Sequence, residues 1–289
     1  MLLYWKPIAN SIKKSLKEEL ANYDLKNKYI WIFLLSDDKP SETYVNLKKQ
    51  FWKDLGLDAK IFSKDNGNID DMNFKDVISK ISDCNNDSNC LWIIVQLPLN
   101  DYLKKYQPDI LSSISKKKDI DWLWWQLFGD NLVGVFDFVP ATPMAVLELL
   151  KYYELDNYKW KNVVIIWQSN LLWKPLALEL MKRNAEIISL NEFVDKDFMK
   201  KCCLSCDIII SAAGKAHLIN WNFVRDDNSQ VLIDVGFSKA NGKVYGDIDL
   251  KSVENKVKAV TPTPGGVWPT TIACLFKNIQ KLLHIFGGK

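Results

Sequence analysis

Histidine is nearly absent from this chain: there are two in 289 residues, His217 and His284. Neither stands at ligand spacing from the six cysteines, at 84, 90, 202, 203, 206 and 274. Only Cys203 and Cys206 form a CxxC, so a zinc site lacks its other half and no metal is expected. The cysteines read as reduced structural thiols of a cytosolic protein. Charge of one sign is also lacking. Lysine and arginine number 38 against 35 aspartates and glutamates, a net charge of +3 without a basic stripe, which gives no support to a nucleic-acid partner. The longest apolar runs, Tyr29 to Leu35 and Val163 to Trp167, are of strand length and far short of a membrane span. The opening Met-Leu-Leu-Tyr-Trp-Lys lacks the cationic head and apolar core of a secretory signal. The expectation is a cytoplasmic protein with no membrane partner.

What the chain does have is a hydrophobic content of 48%, enough for one large core or two modest ones. Strand-like apolar runs alternate with amphipathic stretches almost throughout, the α/β pattern of parallel sheets crossed by helices. In the first half, strands are expected at Tyr29–Ser36, Ala59–Phe62 and Leu91–Gln96, with helices at Ser41–Leu55 and Asn73–Ile81. Residues 115 to 139 carry a lysine run, an Asp-rich turn and clustered aromatics, and make the expected crossing between domains. Pro143 is expected to open a helix reaching Tyr153. Strands follow at Asn162–Trp167, Glu186–Leu190, Asp207–Ser211 and Val231–Val235, with helices at Pro175–Asn184 and Val194–Lys200. That is a mononucleotide-binding βαβ succession. A last helix is expected over Thr270–Phe286.

Tyr44 and Lys48 stand four apart on one predicted helix, so a phenol and an amine leave the same face one turn apart. They could share a substrate, or belong to a solvated face with Lys49 and Lys53. Gln96, in Val95-Gln96-Leu97-Pro98-Leu99, ends a predicted strand, where ligands of open α/β sheets bind. Asp119 and Asp121 fit a turn, a metal pair or a ligand contact. Thr261-Pro262-Thr263-Pro264-Gly265-Gly266-Val267 suits a backbone that approaches a ligand closely.

In this order the pieces resemble the bifunctional methylenetetrahydrofolate dehydrogenase/cyclohydrolase (FolD) family. The motifs that carry the resemblance are Tyr44-Val45-Asn46-Leu47-Lys48, Val95 to Leu99, Lys118-Asp119-Ile120-Asp121, Pro140-Ala141-Thr142-Pro143, Ser169-Asn170 with Lys174-Pro175, Gly246-Asp247, and Thr261 to Val267. It runs from about residue 2 to the C-terminus.

The resemblance implies oxidation of 5,10-methylenetetrahydrofolate to the methenyl cation with NADP or NAD, and hydrolysis of the cation to 10-formyltetrahydrofolate. It implies a folate-binding catalytic domain over residues 1–139, completed by 262–289, and a Rossmann-type dinucleotide-binding domain over 140–261. The final helix would pack back on the first domain. Lys48 would be the central catalytic group, with Tyr44 and Gln96 positioning it and Asp121 gripping the pterin. Val95, Leu97, Pro264, Gly265 and Gly266 would contact the folate. Trp167, Gln168, Ser169, Glu192, Gly214, Asp234, Gly236 and Thr271 would contact the dinucleotide. A homodimer joined through the nucleotide domain is implied as well. For Lys48 to act as a base at neutral pH, its pKa must come down from ~10.4 to ~7, about 4 kcal/mol. A charged Lys48 could instead donate a hydrogen bond before losing its proton.

The chain departs from the family where the phosphate turn, Gly-Arg-Ser, reads Trp167-Gln168-Ser169. An indole of ~200 Å² stands where the cofactor should lie on bare backbone. Tryptophans 5, 92, 122, 160, 173 and 268 fall at family glycine positions too. Independent mutation would not choose tryptophan so uniformly. The hypothesis is that UGA codons read as glycine in the source organism have been written as tryptophan; UGG codons at these seven positions would refute it. If the tryptophans are real, the alternative is a relative that has lost dehydrogenase activity and keeps cyclohydrolase or folate binding. A non-catalytic protein with sticky exposed indoles is a further alternative, opposed by the joint presence of Tyr44, Lys48, Gln96 and Asp121. Gln168 and Glu192 replace the positions expected to meet a 2′-phosphate, and a carboxylate suits a free ribose hydroxyl, so NAD is expected over NADP.

Overall fold

Of the three strands at the start of the chain, the first and third are nearly continuous in apolar character, as a sheet covered on both faces requires, while the second alternates and exposes Asp58 and Lys60. In the computed structural model, which describes residues 1–37, 39–63, 73–121, 129, 139–168, 172–240, 243–265 and 267–286, they are β1 (Tyr29–Leu34), β2 (Asp58–Phe62) and β3 (Cys90–Gln96). They form a parallel sheet in the order β2-β1-β3. Helix α1 (Lys6–Leu20) precedes β1. Helices α2 (Lys39–Asp54) and α3 (Phe74–Asn86) make the crossovers, and the short α4 (Asp101–Lys104) and α5 (Gln107–Ser112) follow β3. Phe33, Val77, Ile81, Ile93 and Leu103, all fully buried, form the core on one face. No element was expected at α1. Its signal is nonetheless present, because Ile8, Ile12, Leu16 and Leu20 recur every four residues and all four are buried.

The later strands, β4 (Asn162–Ile166), β5 (Glu186–Leu190), β6 (Ile208–Ser211), β7 (Val231–Asp234) and β10 (Ala259–Val260), form a second parallel sheet in the order β10-β7-β6-β4-β5. Its helices are α6 (Ala141–Tyr152), α7 (Trp173–Lys182), α8 (Lys196–Ser205) and the single-turn α9 (Leu250–Val253). The antiparallel hairpin of β8 (Phe237–Ala240) and β9 (Lys243–Gly246), absent from the sequence expectation, lies between β7 and α9. Helix α10 (Val267–Phe286) closes the described chain. The chain turns outward from β4 to β5, then returns to place β6 on the other side of β4. The crevice beyond the carboxyl ends of β4 and β6 is therefore the topological switch point of this sheet.

Pro143 does not open its helix; it is the third residue of α6, after Pro140 at the cap position. The outcome is physically equivalent, since any of the first four N–H groups lacks a helical acceptor. All six cysteines are free and buried.

The chain divides into two compact units. One comprises Met1–Ser11 with Val139–Cys274, the other Ile12–Phe138 with Leu275–Lys289. The first eleven residues fall in the same unit as the second sheet. The cause is backbone pairing beside β10: Leu3 N donates to Val260 O and Val260 N to Met1 O, each at 3.0 Å. Residues 262–274 also fall in this unit.

Candidate functional site

Helix α2 buries a stripe at Val45, Lys48 and Trp52, continued by Leu55 in the turn that follows, the three-and-four spacing of a core-facing seam. Lys48 occupies a position where an aliphatic residue would normally stand, and only 8% of it is exposed. The solvated-face alternative is thereby overturned for Lys48, whereas its neighbours Lys49 and Lys53 are exposed. Its Nζ donates to Gln96 Oε1 at 2.9 Å and lies 3.9 Å from Asp121 Oδ2. Gln96 ends β3, and its Nε2 donates to the Leu97 carbonyl at 2.8 Å, which turns the amide oxygen toward the lysine.

Asp121 reaches the lysine because residues 118–119 run beside β3. Ile93 N donates to Lys118 O at 2.8 Å, and Ile93 bridges Asp119 in parallel. Asp121 N then donates to the buried Asp119 Oδ1 at 3.1 Å, and Asn278 of α10 holds Ile120 O at 3.0 Å. Asp119 thus caps the turn and Asp121 is presented.

Burial lowers the Lys48 pKa, partly opposed by the Asp121 carboxylate. Burial raises that of Asp121, opposed by Lys48. Desolvation favours the uncharged form of each, and the attraction across 3.9 Å favours the ion pair. Tyr44 stands half-buried one turn before Lys48, and burial raises its phenol. Val95 is buried and Leu97 half-buried, either side of Gln96.

In the other unit the turn after β4 holds Trp167 and Gln168, while Ser169 lies outside the described residues. Trp167 has φ +82°, left-handed backbone that favours glycine and is an outlier for a bulky side chain. Its N–H is held by Leu190 O at 2.9 Å, one step beyond the β4–β5 pairing. The Lys215 ammonium lies 4.3 Å from the indole centroid. Gln168 Nε2 donates to Ser189 Oγ at 2.7 Å, across to the fourth residue of β5. Glu192 is exposed just beyond that strand.

Among the other tryptophans at family glycine positions, Trp160 also has positive φ, +65°, and is 83% exposed. Trp92 is accommodated, buried and stacked on Trp52 with centroids 5.5 Å apart. Trp5 and Trp173 are half-buried without positive φ. Trp122 lies outside the described residues, as does the side chain of Trp268.

Asp234 does not face outward. It is 1% exposed, and its carboxylate accepts the N–H groups of Asp247 and Ile248, both at 3.1 Å. Its own N–H goes to Thr261 Oγ1 at 2.7 Å. Burial pushes its pKa up to about 7, opposed by the Ile248 N–H and reinforced by the neighbouring Asp247. Asp247, fully buried, takes Ser211 Oγ at 2.8 Å, Ala213 N at 2.6 Å and Lys215 N at 2.8 Å. Burial raises its pKa as well. Glycine is needed at 236 and 246 for close approach: a Cβ there would collide with the carboxylates of Asp247 and Asp234 respectively. The sequence reading named Asp234 as a cofactor contact and Gly246-Asp247 as a family motif, but not the buried pairing of the two carboxylates. The available signal was polar residues ending the apolar strands β6 and β7.

Gly214 sits exposed after β6 at φ +65°. The Thr271 hydroxyl is returned to Val267 O at 3.1 Å. Pro264 follows a cis peptide bond, and the Gly265 carbonyl accepts Trp5 N at 3.3 Å. Gly266 lies outside the described residues. No described helix is long and apolar enough to cross a membrane.

Residues 3–121 match the family description "Tetrahydrofolate dehydrogenase/cyclohydrolase, catalytic domain", and residues 140–285 match its NAD(P)-binding domain. The "Bifunctional protein FolD" of Chlamydia trachomatis is 36% identical over 289 residues, covering 96% of each chain. That of Aquifex aeolicus is 32% identical, covering 97% of this chain and 94% of the relative. Among solved structures, the bifunctional enzyme FolD-methylenetetrahydrofolate dehydrogenase/cyclohydrolase from Campylobacter jejuni superposes with a TM-score of 0.87 at 30% identity, covering 99% of both chains.

Proposed function

The chain belongs to the tetrahydrofolate dehydrogenase/cyclohydrolase family, and on that premise we propose that Lys48 is the group through which both of its reactions pass. The enzyme oxidises 5,10-methylenetetrahydrofolate to the 5,10-methenyl cation with NAD(P)+ and hydrolyses that cation to 10-formyltetrahydrofolate. The observation that carries the Lys48 assignment is an amine buried on a helix stripe and held 2.9 Å from Gln96 Oε1.

In the oxidation, positive charge develops over the N–C–N unit of the folate as the methylene carbon loses hydride. A neutral amine beside that unit does not repel it, and the desolvation that lowers the Lys48 pKa favours that form. Bound nicotinamide supplies the hydride acceptor. In the hydrolysis, water adds to the methenyl carbon and Lys48 takes its proton. The bond from that carbon to N5 then breaks: Lys48 returns its proton to N5, the remaining hydroxyl proton is released to solvent as the formyl C=O forms, and the formyl group stays on N10. Cation plus water thus gives a neutral product and one free proton, with Lys48 carrying the proton that moves to N5. Gln96 Oε1 accepts one amine hydrogen and fixes the direction of the lone pair. Asp121 accepts from the pterin amino edge, and Tyr44 holds the folate from the same helix face. Val95 and Leu97, either side of Gln96, complete the proposed folate contacts of this unit. Lys48→Met should lower both activities by roughly 10²–10⁴-fold. A Met variant that hydrolyses methenyl-folate within tenfold of the parent would overturn the assignment.

For the dinucleotide, the backbone and the side chain at residue 167 give different answers. The turn stands at the switch point with φ +82°, a backbone suited to a bare phosphate turn, and an indole occupies it. The positive φ at both 160 and 167 supports glycine as the residue these positions require, in keeping with UGA read as glycine. The coding triplets test this. Gln168, tied to Ser189, and the exposed Glu192 support NAD over NADP; a lower KM for NADP would overturn that preference. Gly214, Gly236 and Thr271 complete the proposed cofactor contacts. The open edge of β5, with Phe193 86% and Phe198 54% exposed nearby, supports a homodimer joined through this unit, which light scattering in solution tests.

A further inference from the structure

Two loops follow the strands that flank the switch point: residue 167 follows β4, and residues 212–215 follow β6. The second loop is clamped from beneath. Asp247 accepts Ser211 Oγ, Ala213 N and Lys215 N, and the Gly214 N–H faces the same carboxylate. Asp247 is fixed in turn, because Asp234 at the end of β7 holds the backbone of residues 247 and 248. Three successive N–H groups aimed at one point make a nest for an anion, and here the anion is the protein's own carboxylate. The N–H groups of Ala213 and Lys215 are therefore taken up within the loop and are not offered to a ligand phosphate.

What the clamp leaves outward is the Lys215 side chain. Its ammonium stands over residue 167, 4.3 Å from the ring centroid, and among the described residues it pairs with no carboxylate. A cation without an ionic partner, on a rigid loop, is thus aimed at the turn where a dinucleotide's pyrophosphate lies in sheets of this topology. The indole's electron-rich face holds it there in place of an anion.

We propose that Lys215 is a binding residue for the cofactor pyrophosphate, set in place by the Asp247–Asp234 pair acting as positioning residues. The proposal rests on the dinucleotide-dependent activity of the preceding section. The pyrophosphate is common to NAD and NADP, so Lys215 adds affinity without choosing between them.

The test compares Lys215→Ala and Lys215→Arg with their parent, each with tryptophan and with glycine at 167. Titrations use NAD, NADP, ADP-ribose and adenosine. Lys215→Ala should weaken NAD, NADP and ADP-ribose about 10- to 100-fold, the range for losing one hydrogen bond to a charged group. It should leave adenosine, which has no pyrophosphate, within twofold, and Lys215→Arg should keep most of the affinity. Asp247→Asn should weaken ADP-ribose when Lys215 is present and add nothing to Lys215→Ala, because it acts through that residue. If Asp247→Asn fails to fold, the surface variant Lys215→Ala still decides. Unchanged ADP-ribose affinity in Lys215→Ala would overturn the proposal, as would weakening confined to NADP, which would place the ammonium at the 2′-phosphate. A glycine-167 parent that binds no dinucleotide would overturn the cofactor reading itself and this inference with it.

Discussion

Replacing Trp167 by glycine separates the two contributions of that residue, to stability and to binding. The backbone at 167 sits at φ +82°, and relieving a bulky residue there is worth roughly 1–2 kcal/mol. Against this stand the lost contact with the Lys215 ammonium at 4.3 Å, roughly 0.5–1 kcal/mol, and the greater freedom of glycine in the unfolded chain, about 0.4–1 kcal/mol. These nearly cancel, so thermal stability should move by no more than about 2–4 °C. Binding should behave differently. The indole fills ~200 Å² of the turn, and the dinucleotide must displace it and meet left-handed backbone beneath. Trp167→Gly should therefore tighten NAD or NADP by at least about 100-fold, ~2.7 kcal/mol, and raise dehydrogenase kcat/KM in step. Calorimetric titration gives the affinity, and a thermal melt run alongside gives the stability. Equal affinity in the two proteins, within twofold, would refute the claim that the indole stands in the cofactor's place.

Trp160→Gly carries the same relief of positive φ without a ligand, and its indole is 83% exposed with little packing to lose; we expect a gain of about 1 kcal/mol in denaturant unfolding. Asp121→Asn removes the charge that holds the Lys48 pKa up, so the acid limb of the cyclohydrolase pH profile should move to lower pH; a shift to higher pH would contradict Lys48 as base. Asp234 has its pKa raised from 3.8 to about 7. Its contribution to stability is therefore complete below pH ~4 and lost as pH rises through about 7, at most about 4 kcal/mol. Asp234→Asn should flatten the melting curve against pH across that window, and an unaltered slope would show that the carboxyl does not titrate there.

The sequence alone determined the α/β class, most of the strands and the family. Alternating apolar runs and the order of short motifs are local properties that need no contact to be read. It also singled out Tyr44, Lys48, Gln96 and Asp121, although the spacing of Tyr44 and Lys48 allowed a solvated face. The stripe Val45, Lys48, Trp52, Leu55 was present in the sequence and places lysine inside, yet charge near Lys49 and Lys53 masks it.

Tertiary structure decided the rest. Asp121 meets Lys48 only because residues 118–119 pair beside β3, and Asp234 turns inward only because β9 brings residues 247 and 248 over it. Lys215 stands over residue 167 because β6 returns to the flank of β4. No periodicity encodes these meetings. They depend on which strands become neighbours, and that is settled by the packing of crossovers over a shared core. The backbone at 160 and 167 was decided there too: glycine positions showed in the sequence only through a surplus of tryptophan, and the fold shows the physical demand behind it as a positive φ.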